Sequence, residues 1–136
     1  MALCNPSELD GFDAERALDA ARSSVGDSLR VCIEYDAERF TTLYADGTLL
    51  ELYGDEEMML EQFAEVHSYV HVDFTERDLF EDLFYGAGDV RAFVTCMEHT
   101  TAVRCVTGEF GLFLGLDPDA AVTPVVEAVE RVLADG

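Results

Sequence analysis

The stretch from Val90 to Leu116 most constrains what this chain can become. Val90, Ala92, Val94 and Cys96 alternate with Arg91, Phe93, Thr95 and Met97, the period of a strand that sends successive side chains to opposite faces. Glu98-His99-Thr100 interrupts the alternation, Thr101 to Val106 resumes it, Thr107-Gly108-Glu109 breaks it again, and Phe110 to Leu116 completes a third run. A parallel connection needs a crossover of about a dozen residues or more, so runs joined this tightly can pair only as an antiparallel meander.

The preceding residues supply a second block and the helices to cover both. Leu29, Val31, Ile33 and Tyr35 alternate with Arg30, Cys32 and Glu34, residues 36–39 turn, and Phe40 to Tyr44 returns. Asp46-Gly47 is a favoured hairpin dipeptide, so residues 48–53 are expected as a further strand. Leu9, Phe12, Ala17 or Arg16, Leu18 and Ala21 form a helical face ended by Ser23-Ser24-Val25-Gly26. Asp55 can cap a helix with Met59, Phe63, Val66 and Val70 on one side. Val70, Val72 and Phe74 then alternate with His71 and Asp73, which leaves residues 67–74 open between helix and extended chain. Thr75, with Asp78 three residues on, reads as the N-cap of a helix carrying Leu79, Phe80, Leu83 and Phe84 up to Gly86. Val125, Val126, Val129, Val132 and Leu133 form the buried face of a last helix.

The expected fold is therefore α+β: a single antiparallel sheet of five to six strands, in two hairpin or meander blocks, covered by helices in the order α-β-β-(β)-α-α-β-β-β-α. Residues 1–9 are expected as a flexible arm and residues 10–136 as a single domain, a size at which one core is usual.

Charge restricts the setting. Twenty-nine acids against eight bases give a net charge of -21, and all eight bases are arginine. On a folded surface of about 7,000 Å² the net charges would lie about 18 Å apart. The Debye length is about 8 Å in physiological salt and about 3 Å in molar salt, so self-repulsion fades only in the second. A lysine-free acidic coat thus points to a salt-filled cytoplasm. It disfavours direct nucleic-acid binding, since nothing offsets repulsion from phosphates. The N-terminal MALCNPSELDGF has no basic region followed by a long apolar run, and no run of apolar residues is long enough to span a bilayer, so a cytoplasmic protein without membrane contact is expected. Cys4, Cys32, Cys96 and Cys105 contain no C-x-x-C, and the last three fall in apolar strand patterns, where buried reduced thiols are expected.

The motifs that could carry chemistry are sparse. Gly86 and Gly88 look like a phosphate-binding pair, but such loops follow a strand and open a helix; here the order is reversed, which makes them the corner between a helix and a strand. His67 and His71, four residues apart, would share one side of a helix or strand, and Asp73 or His99 could complete a metal site with them. Equally, they are ordinary histidines near an apolar seam. Arg91 and Arg104 lie mid-strand in a chain poor in bases, and either pair with internal acids such as Asp73 or Glu76 or contact an anionic ligand. Adjacent acids such as Glu81 and Asp82 are uninformative where acids abound, and no G-x-S-x-G is present. No cofactor is implied.

Asp73-Phe74-Thr75-Glu76, Gly86-Ala87-Gly88-Asp89-Val90-Arg91 and Gly111-Leu112-Phe113-Leu114 resemble small acidic proteins of unassigned function from haloarchaea, over roughly residues 25–117. That resemblance implies a salt-loving source and brings no catalytic residue. The element order also resembles the profilin-like group, which includes roadblock, PAS and GAF-type regulatory domains, although a strand at 48–53 and a helix at 75–85 depart from roadblock. The expected function is a non-enzymatic regulatory or protein-interaction domain, binding a protein partner or itself. The alternatives are an anion- or metal-sensing domain and an enzyme.

Overall fold

In the computed structural model, residues 2–9 and 12–135 are described. The strands β1 (Leu3–Cys4), β2 (Leu29–Asp36), β3 (Phe40–Ala45), β4 (Ala92–Cys96), β5 (Thr101–Thr107) and β6 (Phe110–Leu116) form one sheet in the order β1-β3-β2-β6-β5-β4. Every neighbouring pair is antiparallel. The hairpin β2–β3 and the meander β4–β5–β6 are fused through β2 and β6, which puts both central strands under cover on each face.

One face is sealed by α1 (Ala14–Val25) and α5 (Val122–Asp135). Ala17 and Ala21 of α1 let the helix approach closely, and Val125, Val129 and Val132 of α5 meet Cys32, Val103, Cys105, Leu112 and Leu114 in the main core. The other face is crossed by α2 (Gly47–Tyr53), α3 (Glu56–His67) and α4 (His71–Leu83), which carry the chain from β3 to the far edge at β4. This cover is thin. Among these three helices only Met59 and Asp73 are buried. The accessible surface is 7905 Å², against about 7,000 Å² for a protein of this mass, as expected when helices stand off from a sheet.

Several expectations are corrected. Residues 48–53 are helical, because Asp46 acts as an N-cap: its Oδ1 accepts from the Leu49 amide at 2.8 Å. Leu49, Leu50 and Tyr53 then reach the second core at helical spacing. Arg30 fixes that cap from β2, donating to Asp46 Oδ2 at 2.7 Å and to both oxygens of Asp117. The helix expected from Thr75 starts at His71, and Thr75 lies inside it, donating to the His71 carbonyl at 3.0 Å. The alternation of Val70, Val72 and Phe74 is overridden by a tight turn over residues 67–73, with successive amides bonded three residues back. Leu29 does not share a face with Val31, since an irregularity falls between them and sends Leu29 into the main core.

The N-terminal segment is docked where an arm was expected. Leu3 and Cys4 pair with Ala45 and Tyr44, and Glu34, fully buried on β2, accepts from the Ser7 hydroxyl at 2.5 Å and from the amides of Glu8 and Leu9 at 2.7 and 3.3 Å. A buried carboxylate needs such donors. The expected boundary between residues 9 and 10 falls at Asp10, outside the described residues.

Candidate functional site

The loosely covered face holds a cleft of about 530 Å³ between the sheet and α2–α4. Its floor is Val31, Ile33 and Phe113, with Leu49, Phe63 and Val70 as the roof. At one end three polar side chains meet. Tyr35 Oη donates to Asp73 Oδ2 at 2.6 Å, and Arg104 Nη1 donates to Asp73 Oδ1. Asp73 is 4% exposed, so its charge stands in the interior compensated by the guanidinium and the phenol. Burial, then the bond to Asp73, raises the Tyr35 hydroxyl above the ordinary tyrosine range, which keeps it a protonated donor. Arg104 also lies over the Phe93 ring, 5.1 Å from its centroid.

Tyr35 reaches Asp73 because of the residue opposite it. Tyr35 and Gly111 are cross-strand partners on β2 and β6. A Cβ at Gly111 would sit 2.6 Å from Tyr35 Cε2 and closer still to the ring's far end. The phenol therefore lies across the bare backbone of β6, a close approach of the kind that places glycine inside a strand.

The residues singled out from sequence divide between the two sides of the sheet. Arg104 pairs with Asp73, one of the internal acids that the sequence offered it. Arg91, expected beside it, turns instead to α5 and pairs with Glu130. The two arginines do not form one anion site. His67 lines the cleft, with Nε2 2.8 Å from the Asp36 carbonyl and its ring 5.2 Å from that of Phe40. His71 is exposed at the start of α4, beyond the turn that ends α3, so no single helix carries both imidazoles. His99 is exposed near Glu98. Among the described residues no three His, Cys, Asp or Glu side chains are grouped to hold a metal ion.

The four cysteines are free. Cys32 and Cys105 are buried as expected, and burial pushes the Cys105 thiol up to about 12 and Cys32 higher still. Cys96 is exposed, because β4 ends the sheet and only one of its long sides is paired. Beside that edge lies an open hollow lined by Phe80, Phe84, Phe93, Val94, Val122 and Val126. Phe80 and Phe84 stack with centroids 5.7 Å apart, and Phe80 meets Phe93 of β4 at 6.1 Å. Leu79, Leu83, Tyr85, Val94 and Met97 are also exposed, which joins the edge strand and the end of α4 into an apolar surface. The Gly86 and Gly88 corner, with φ of 83° and 87°, turns the chain from α4 towards that edge. Among the described residues no helix is long and apolar enough to cross a membrane.

A family model described as Domain of unknown function (DUF7522) matches residues 15–134. Among solved structures, a Roadblock/LC7 domain from Streptomyces avermitilis superposes with a TM-score of 0.55 at 12% identity, covering 95% of this chain and 94% of that one. MglB in a tetrameric arrangement gives 0.56 at 17% identity, with 93% and 89% covered. The gliding protein MglB of Thermus thermophilus gives 0.51 at 18% identity, with 94% and 96% covered. A search of curated protein sequences gave no match. The fold is thus Roadblock/LC7-like, and with residues 48–53 helical, the strand that set the sequence apart from that group is gone.

Proposed function

The chain belongs to the family described as Domain of unknown function (DUF7522), and from its geometry we propose that it is a non-enzymatic protein-interaction module that pairs with a second copy of itself through β4 and α4. The observation that carries this reading is the asymmetry of the sheet's two edges. The β3 edge is capped by β1 at Leu3 and Cys4, whereas β4 leaves a row of backbone groups open next to exposed Phe84, Tyr85, Val94 and Met97. An uncovered edge flanked by apolar side chains is a template for pairing with another strand. A solved neighbour of the same fold is described as MglB with a tetrameric arrangement, which supports assembly as a use of this scaffold. The absence of lysine and the charge of -21 support a working place in a salt-rich cytoplasm, where repulsion between two such copies is screened.

The test is sedimentation velocity of the full chain at several potassium chloride concentrations. Association should strengthen from about 0.2 M to about 2 M salt, through screening and stronger apolar burial. Phe84→Glu and Val94→Glu should each return the protein to a monomer without loss of helical signal. A monomer at every salt concentration, or variants that leave association unchanged, would overturn the reading.

A further inference from the structure

We propose that the cleft between the sheet and α2–α4 binds a small apolar carboxylate, a medium-chain fatty acid or a compound of that type, with its head on Arg104 and its hydrocarbon body between Phe63 and Phe113. The cleft holds about 530 Å³, within the range of roughly 300–1,000 Å³ usual for small-molecule sites. Protein interiors ordinarily leave few voids larger than a water molecule. Here α2–α4 stand away from the sheet although Leu49, Phe63 and Val70 all face the gap. The walls are aliphatic and aromatic, so the body of the ligand is apolar.

The polar end sets the head group. A guanidinium carries five N–H donors in a planar fork, and Arg104 meets Asp73 through Nη1 alone. Its side chain is 26% exposed and borders the cleft, so the remaining donors suit the two oxygens of a second carboxylate. Asp73 cannot swing away to compete for them, because Tyr35 holds its other oxygen at 2.6 Å. An ammonium head would meet the guanidinium's charge, and a hydroxyl would take only one donor.

This site lies on the helix-crossed face and is formed within one chain; of the apolar residues at the β4 edge, Met97 also borders it, whereas Phe84, Tyr85 and Val94 do not. Its test is calorimetric titration of the full chain in molar potassium chloride with octanoate, octanol and octylammonium, together with the thermal shift each produces. Octanoate should saturate one site per chain. Octanol should bind at least about tenfold more weakly, and octylammonium should not saturate. Arg104→Gln should remove the preference for octanoate over octanol. Since that change also strips Asp73 of its partner and can unfold the chain, Val70→Trp provides a second route: it fills the cleft from the turn between α3 and α4 and should abolish octanoate binding with the circular dichroism unchanged. Phe84→Glu should bind octanoate like the parent. Equal binding of all three compounds, binding that survives Val70→Trp, or no saturation by about 10 mM octanoate, a ligand affinity of only about 3 kcal/mol, would overturn the proposal.

Discussion

Replacing Gly111 by alanine should cost far more than one methyl group suggests. The new Cβ would lie 2.6 Å from Tyr35 Cε2, where carbon atoms rest at about 3.5–4.0 Å. The ring cannot step aside freely. Tyr35 is 4% exposed, its hydroxyl is held by Asp73, and Phe74 sits 6.4 Å away at a tilt of 56°. Overpacking of this kind costs about 1–3 kcal/mol. If the ring shifts to relieve it, the bond to a buried carboxylate is lost, at about 1.5–3 kcal/mol. Alanine recovers about 0.5–1 kcal/mol of the backbone entropy that glycine loses inside a strand. The two losses are alternatives as much as additions, so the net expectation is about 2–4 kcal/mol, a large part of the 5–15 kcal/mol typical of a domain. Urea unfolding followed by circular dichroism at constant high salt measures it, and a cycle with Tyr35→Ala assigns it. In the Tyr35→Ala background, Gly111→Ala should be neutral or slightly stabilising, for a coupling of at least about 2 kcal/mol. Tyr35→Phe, which keeps the ring, should leave most of the cost in place. A loss below about 0.5 kcal/mol for Gly111→Ala in the parent, or the same loss in the Tyr35→Ala background, would refute the packing account.

Three further outcomes are expected. Glu34→Ala strands the Glu8 and Leu9 amides and leaves the Ser7 hydroxyl only the Leu9 carbonyl, at 3.3 Å, as acceptor; it should cost about 1–3 kcal/mol and deprotect the amides of residues 3–9 in hydrogen exchange, while β5 and β6 keep their protection. In the native state a maleimide should label Cys4 and Cys96 and spare Cys32 and Cys105 until the chain unfolds, because a thiol near 12 is ionised at pH 8 to only about one part in ten thousand. Burial raises the Asp36 carboxyl, but the amides of Glu38 and Arg39 and the Arg39 guanidinium outweigh it and hold the group below the ordinary range. A depressed carboxyl contributes stability above its unfolded value and loses it as pH falls through its folded one. Asp36→Asn should therefore weaken the fold at pH 7, and urea midpoints of variant and parent should converge on acidification.

The meander was legible because its turns are too short for any other pairing, and Val90 to Leu116 folds as three antiparallel strands, with the first beginning two residues later, at Ala92. Residues 48–53 were misjudged for a local reason. Asp-Gly favours a hairpin in isolation, yet Asp46 is a strong cap once Arg30 orients it, and the spacing of Leu49, Leu50 and Tyr53 was the helical signal. Of the polar end of the cleft, the Arg104–Asp73 pair was foreseeable from the scarcity of bases. Tyr35 was not singled out, although a glycine inside the β6 run hinted that something large crosses there. Glu34 left no trace among twenty-nine acids, since a single sequence does not distinguish a buried carboxylate from a solvated one.

The sequence by itself determined the class of fold, the antiparallel blocks and the acidic coat, because strand period, short turns and net charge are properties of neighbouring residues or of their sum. Only the tertiary structure decided that β2 joins β6, that Arg91 and Arg104 part to opposite faces, and that α2–α4 stand off from the sheet to leave a cleft and a bare edge. Those features depend on which distant segments share the limited surface of one sheet. That competition is settled by packing across the whole chain, and no local pattern records its outcome.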